Sequence, residues 1–429
     1  MQIHLGLKHT RIALIHIPFW GRAGGERQIL RLSIELEKLG HEVEIFTNAV
    51  NEGSFPEFFN KVKINVIPHP LKGKLPAALT PQVAAPRISD RVHGHEAKVP
   101  GLRKWMGTIV GRQYYTSEVP AMLQLGRKIP NRFDIINNHN FPTEWAALIA
   151  KSRLRVPVVW MCNEPPYWFF AKNEKEGLRK INWPLFELWD KITVSYIDEI
   201  MVLSHVSERY VKEAYNRSST IVRTGVDVEF FRKSSGNNFR TQHKLKDNFV
   251  MLFVGGSVYG KRGNLVRALA ILSKKYNHIR LVLDTYREQD MLKRLSKELG
   301  VGDKILVLQS KSDAELAEVY AACDVFVYPA SASPWGLVVT EAMASAKPVI
   351  VSRQVGTSEI IEDNVNGIII NEPTPEEIAK QVEILLHNPK LRKTLGENAF
   401  QYVKNNLSWK KYAENVEGVF QRTLSRTKN

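Results

Sequence analysis

Apolar and polar positions recur along this chain with two different periods, and the order in which those periods follow one another predicts its architecture. Residues 11–17 are a short apolar run. Over 26–39, Ile29, Leu30, Leu32, Ile34, Leu36 and Leu39 recur at helical spacing until Gly40 stops them, and in 41–47 Val43 and Ile45 alternate with polar neighbours. Strand, helix and strand follow, a βαβ unit with residues 18–25 as its first loop. Further strands are predicted at 62–67, 134–137, 156–161 and 199–203, with a helix over 143–151. Residues 68–100, rich in Pro, Gly, His and Lys without a clear period, predict a long loop with short helices. After the polar stretch 232–247 a second series begins, with strands at 249–254, 280–283, 305–308, 324–328, 348–351 and 367–370 and helices between them. Strands alternating with helices predict α/β domains, each a parallel sheet covered on both faces. Ligands in such folds bind at the carboxyl ends of the strands.

Composition narrows the class. A chain of 429 residues suits two domains of about 200 residues. Two cysteines, Cys162 and Cys323, build neither a disulfide framework nor a cysteine-rich zinc site, which fits a reducing, cytoplasmic compartment. The first twenty residues hold only the apolar stretch 12–17, broken by His16, and predict a strand instead of a signal peptide. No apolar run reaches about 18 residues, so any membrane contact is expected to be peripheral. The formal charge is +16, and residues 61–155 carry 16 Lys/Arg against 5 Asp/Glu. Such an excess attracts polyanions, either nucleic acid or anionic lipid headgroups and lipid phosphates, or it is a solvated surface that keeps the protein soluble. Residues 102–110 set cationic and apolar side chains together, as interfacial helices do. The sequence holds no nucleic-acid reader motif, and its basic residues are not interleaved with stacking aromatics, so no nucleic-acid partner is expected.

Specific motifs carry the chemistry. The loop Pro18-Phe-Trp-Gly-Arg-Ala-Gly24-Gly25 joins a strand to a helix, where glycines let backbone approach a phosphate or sugar. It is neither a Walker loop nor a GxGxxG dinucleotide turn, and alone it reads equally as a flexible βα turn. The run from Cys323 through Tyr328-Pro-Ala-Ser-Ala-Ser333-Pro-Trp-Gly336-Leu337-Val338-Val-Thr-Glu341 to Pro348, continued by Val355-Gly-Thr-Ser-Glu359 and Asn366-Gly367, resembles the donor-site signature of glycosyltransferase family 4, the glycosyl transferases group 1. The resemblance extends to Gly24-Gly25 with Gly40-His41-Glu42-Val43, to Gly225-Val226-Asp227, to Phe253-Val254-Gly255 with Arg262-Gly263, and to Ser408-Trp409. It covers nearly the whole chain in the family's order.

That resemblance implies the GT-B fold, two Rossmann-like domains with parallel sheets facing a central cleft. It divides the chain into an acceptor domain at 1–222, a linker at 223–247, a nucleotide-sugar donor domain at 248–405, and a C-terminal helix at 406–429 returning to the first domain. It implies a retaining hexosyltransferase that needs no cofactor and no metal. The backbone at Leu337 and Val338 would face the donor diphosphate at a helix N-terminus, and Glu341 would accept from the ribose hydroxyls. A first-turn glutamate that merely offsets the helix dipole is the alternative for Glu341. Lys261 or Arg262 would neutralise the leaving diphosphate. Gly256, Ser257, Ser333 and Gly336 complete the donor positions. His139, just past the strand 134–137, would lie near the transferred sugar, or is only a surface histidine. Glu164, Tyr167 and Trp168 follow a strand, and their aromatic neighbourhood either lines an acceptor groove, touches lipid or covers the core.

Two positions depart from the family's pattern. Ser333 stands where many members have a glutamate that binds the donor sugar, which leaves the identity of the sugar open. Gly256 stands where many have an arginine. The basic excess favours a lipid-linked or glycan acceptor at an anionic, cytoplasmic membrane face. Rival readings are a non-catalytic sugar-nucleotide-binding protein and a sugar-nucleotide epimerase of the same fold.

Overall fold

The computed structural model describes residues 9–19, 21–51, 53, 55–70, 119–164, 183–256, 261–286, 288–310, 312–331 and 333–427, with backbone alone for 183–186. Ser257, Tyr167, Trp168, the segment 102–110 and most of the loop expected at 68–100 lie outside them. The described residues fall into two compact units, one within 1–203, 207–222 and 412–429, the other within 204–206 and 223–411.

In the first unit, the strands are β1 (Arg11–His16), β2 (Glu42–Thr47), β3 (Ile64–Val66), β4 (Ile135–His139), β5 (Val158–Met161), β6 (Glu199–Val202) and β7 (Thr220–Ile221). Among the described residues they form one sheet in the order β3-β2-β1-β4-β5-β6-β7, with parallel pairing throughout. Helix α1 (Gly24–Lys38) buries Ile29, Leu30, Leu32 and Leu36 completely, the stripe that its apolar period announces. Its entry is fixed by Glu26, whose carboxylate accepts from the backbone N–H of Ala23 at 2.8 Å, and its exit by Gly40 at φ +94°. Helices α2 (Thr143–Leu154), α3 (Trp183–Ser195) and α4 (His205–Tyr215) follow. Trp145 on α2 and Trp160 on β5 anchor a core with Ile136, Val158 and Ile200.

In the second unit β8 (Phe249–Val254), β9 (Ile279–Asp284), β10 (Ile305–Leu308), β11 (Val325–Tyr328), β12 (Val349–Ser352) and β13 (Ile368–Ile370) pair in the order β10-β9-β8-β11-β12-β13, again parallel. Around them run α5 (Arg262–Ser273), α6 (Gln289–Glu298), α7 (Asp313–Ala322), α8 (Leu337–Ala344), α9 (Pro375–His387) and α10 (Pro389–Asn406). The α/β expectation of two parallel-sheet domains is met. Residues 223–247, expected as a linker, belong instead to this unit. Arg240 donates to the Ala322 carbonyl at 2.8 Å and pairs with Asp324 at 2.7 Å, and Gly236 packs so closely on Ala322 that a Cβ there would lie 2.4 Å from its nitrogen. The last helix, α11 (Trp409–Thr427), enters the first unit from Tyr412 onward, where the Gln28 amide donates to the Tyr412 hydroxyl at 2.9 Å. Among the described residues, no helix is long and apolar enough to cross a membrane.

Candidate functional site

In a parallel sheet, crossovers that leave in opposite directions from two adjacent strands open a crevice at their carboxyl ends, and ligands settle there. Each sheet has one such place, at β1 and β4 in the first unit and at β8 and β11 in the second. Both coincide with the glycine-bearing loops that the sequence singles out.

In the first unit, register pairs His16 with His139 as the last residues of their strands. Both rings are fully buried. His16 Nδ1 lies 2.7 Å from the Ile17 carbonyl, so it carries the proton, and Nε2 accepts from the Asn140 amide at 3.3 Å. Asn163 in turn donates to the Asn140 side-chain oxygen at 2.8 Å. Gly25 is part of this arrangement, because a Cβ there would stand 2.9 Å from the Asn140 amide nitrogen. Gly24 beside it is exposed. His139 Nε2 and the Asn137 side-chain oxygen are 2.8 Å apart, while its Nδ1 is buried with no hydrogen-bond partner among the described residues. Burial holds both imidazoles neutral: it brings His16 down to about 4, against a small opposing pull from the Ile17 carbonyl, and lowers His139 well below the usual histidine range. Placing His139 just past its strand is therefore corrected. The strand runs on through it, because the Asn137 amide finds the Val159 carbonyl at 2.8 Å and Asn138 finds Thr143. Glu164 is exposed on the loop after β5.

In the second unit, β8 ends at Gly255, φ +133°, and Gly256. A Cβ at Gly256 would fall 2.1 Å from the ring of Tyr286. The aromatic ring after β9 thus lies against bare backbone, and an arginine at 256 has no room unless Tyr286 moves. That is a physical reason for the departure noted in the sequence. Lys261 precedes α5 with a left-handed backbone, φ +39°, and is exposed. Arg262 is not an open cation: its side chain is 2% exposed and two of its nitrogens donate to Glu288, at 3.0 and 2.6 Å.

After β11 the chain passes through Ser333, Pro334 and Trp335 to Gly336, φ +108°, and into α8. Three consecutive carbonyls of this loop are held from behind. Ser333 accepts from the Gly356 N–H at 2.9 Å, Pro334 from the Ser204 hydroxyl at 2.6 Å, and Trp335 from the Thr357 hydroxyl at 3.2 Å. Gly356 makes this possible, since a Cβ there would sit 2.0 Å from the Pro334 oxygen. The N-cap of α8 is Gly336, which has no side chain to cap the helix. Helix geometry leaves the first amides, those of Leu337 and Val338, without an intrahelical acceptor, and their partial positive charge favours an anion. Glu341 stands one turn on, 5% exposed, and the Tyr320 hydroxyl donates to its Oε2 at 2.9 Å. At the switch point of this sheet, Gly256, Lys261 and Arg262 stand on the connection from β8 into α5, and Ser333, Gly336, Leu337, Val338 and Glu341 on the connection from β11 into α8. Glu359, part of the motif after β12, is taken up elsewhere: it accepts from the His205 and Val206 amides, both at 3.1 Å.

Sequence reasoning missed Tyr286, Tyr320, Glu288 and the Asn140–Asn163 pair. Each lies on an element distant in sequence from the residue it meets, and only His16, polar at the end of an apolar run, offered a local sign.

Residues 23–226 match the model of the glycosyl transferase 4-like domain, and residues 235–402 match that of the glycosyl transferases group 1. An uncharacterised glycosyltransferase of Methanocaldococcus jannaschii is 28% identical over 265 residues, 60% of this chain and 66% of that one. The D-inositol 3-phosphate glycosyltransferase of Corynebacterium glutamicum is 24% identical over 458 residues, 99% of this chain and 97% of its own length. Among solved structures, Anabaena HepE in complex with UDP-glucose superposes with a TM-score of 0.70 at 16% identity, covering 96% of this chain and all of that one.

Proposed function

This chain is a glycosyltransferase belonging to the glycosyl transferases group 1 family, and we propose that it moves a hexose-like sugar from a nucleoside-diphosphate sugar to a lipid-linked or glycan acceptor with retention of anomeric configuration. The observation that carries the reading is the start of α8: it begins at a glycine that has no side chain to cap it, and is reached through a loop with three consecutive carbonyls turned to other partners, with Glu341 one turn behind it. In this reading the donor's phosphates lie on the Leu337 and Val338 amides, and Glu341, steadied by Tyr320, accepts from the ribose diol. As the glycosidic bond breaks, negative charge grows on the departing diphosphate. The helix amides, Lys261 and Arg262 take that charge without a metal ion. The leaving phosphate receives the proton of the incoming hydroxyl on the same face of the sugar, so no nucleophilic carboxylate is required. His16 and His139, both neutral, present lone pairs and N–H groups instead of charge at the acceptor end of the first unit.

For the acceptor, support comes from α3. Leu188, Trp189 and Ile192 lie on one side of it and Tyr196 just past its end, all 43–57% exposed. Lys191, paired with Glu187, stands beside them, and Lys151, which also pairs with Asp198, and Arg217 donate to carbonyls at the helix's C-terminal end. An apolar face with aromatic members and a cationic border suits the boundary of an anionic bilayer at the cytoplasmic face.

The test is turnover with UDP- and GDP-hexoses across a panel of polyprenyl-phosphate and soluble glycan acceptors, with product configuration read by NMR and chelator added in parallel. Glu341→Ala should lower turnover about a hundredfold or more, since two hydrogen bonds to a charged group are lost. Undiminished turnover in both Glu341→Ala and a Lys261→Ala/Arg262→Ala double variant would refute the site. Donor binding without transfer to any acceptor would favour the non-catalytic reading.

A further inference from the structure

The ion pair between Arg262 and Glu288 is lopsided. Nε and Nη2 of Arg262 both donate to the same Glu288 oxygen, yet the arginine side chain is 2% exposed and the glutamate 43%. Glu288 adopts a left-handed backbone, φ +56°, directly before α6. A residue with a Cβ enters that region only against a steric cost, which the surrounding structure offsets. Glu288 is the N-cap of α6, at the helix's positive end, while its carboxylate is turned to Arg262 and caps no amide there. The loop after β9 therefore sets an anion of the protein's own on the cation that the donor-site reading assigns to the leaving diphosphate.

Resting on that reading, we infer that Glu288 is a positioning residue that serves as an internal counter-ion, holding Arg262 while the donor is absent and yielding it to the diphosphate when the donor binds. Exposure decides which partner moves. The half-exposed carboxylate returns its charge to water at little loss, whereas the buried guanidinium, 5.8 Å from the centre of the Phe253 ring, has no water to turn to. An arginine already held by an oxyanion offers an incoming phosphate oxygen a preset fork of donors. Because the diphosphate must displace Glu288, the pair weakens nucleotide affinity. When the product diphosphate leaves, Glu288 takes its place again, which favours release.

The experiment measures the dissociation constants of UDP and GDP by calorimetry, and KM and kcat for the donor, in wild type, Glu288→Gln and Glu288→Asn. Glutamine keeps the shape and removes the charge. Asparagine removes the charge and tolerates the left-handed backbone, which guards against a folding defect in the first variant. The expected result is diphosphate binding about two- to tenfold tighter in both variants, the range set by a part-exposed ion pair, with KM lowered in step and kcat not raised. A purely structural role predicts the reverse, because an Arg262 set loose would bind more weakly. Unchanged or weaker binding in folded variants overturns the inference while leaving the donor site standing. Failure of the wild type to bind either diphosphate overturns both.

Discussion

Replacing His16 with phenylalanine should flatten the acid side of the first unit's stability curve. The imidazole is fully buried and stacked on Phe19, 4.7 Å between ring centres, and burial brings its pKa down to about 4. In the unfolded chain a histidine titrates near 6.5. Above that value neither state holds the proton. As pH falls from about 6.5 to 4 the unfolded chain takes up a proton that the folded chain refuses, so stability drops through that window. A depression of about 2.5 units at 1.36 kcal/mol each corresponds to a loss of about 3 kcal/mol between pH 7 and pH 4. Phenylalanine keeps the stack but cannot titrate. It leaves the Ile17 carbonyl and the Asn140 amide short of a partner, at a cost of about 1–3 kcal/mol at every pH. The variant should therefore be weaker at pH 7 and lose about 3 kcal/mol less on acidification. Some slope remains in it, because His139 is depressed in the same direction. Urea unfolding followed by pulsed hydrogen exchange on β1 and β4 peptides reads this unit alone. Parallel curves for wild type and variant, within about 0.5 kcal/mol, would refute the buried neutral imidazole.

Three further outcomes are expected. Glu144 is completely buried, and burial first, then Asp190, push its carboxyl well above the usual range. Its raised folded-state pKa means stability is lost as pH climbs past about 4.5, so Glu144→Gln should melt higher than wild type at pH 8 but not at pH 5, by scanning fluorimetry. Tyr320→Phe removes the hydroxyl that orients Glu341 and should weaken donor binding about three- to tenfold with little change in melting temperature; an unchanged affinity would show that Glu341 needs no such support. Gly356→Ala drives a methyl against the Pro334 carbonyl, and should raise KM for the donor at least about tenfold although residue 356 is not among the proposed donor contacts; a melting curve separates this from global unfolding.

What the sequence disclosed and what it withheld follow a physical line. Apolar period alone sets β8 at 249–254 and β10 at 305–308, and it sets α1 to within two residues, because buried faces must repeat with their element. Both parallel sheets follow from the alternation of elements. The run from Ser333 to Glu341 was legible because one strand–loop–helix passage holds all of it. Arg262 was not: it reads as a free cation by its place after a glycine turn, while Glu288, which occupies it, comes 26 residues later on the loop after another strand. His139 was misplaced for a related reason. Asn137 and Asn138 look like the end of a strand, and only the partners waiting on β5 and α2 let polar side chains stay inside. Residues 223–247 are polar enough to read as a linker, yet Arg240 and Gly236 bind them into the second unit.

Three carbonyls of the loop before α8 are bound by the Gly356 amide and the hydroxyls of Ser204 and Thr357, and among the described residues the Ser333 hydroxyl makes no hydrogen bond that shares in this hold. The geometry of this loop and the identity of the side chain at 333 are therefore separable. If residue 333 faces the donor sugar and the start of α8 its phosphates, as the proposed function has it, a lineage carrying this scaffold alters which sugar it hands on by changing one codon, while the phosphate cradle is inherited intact.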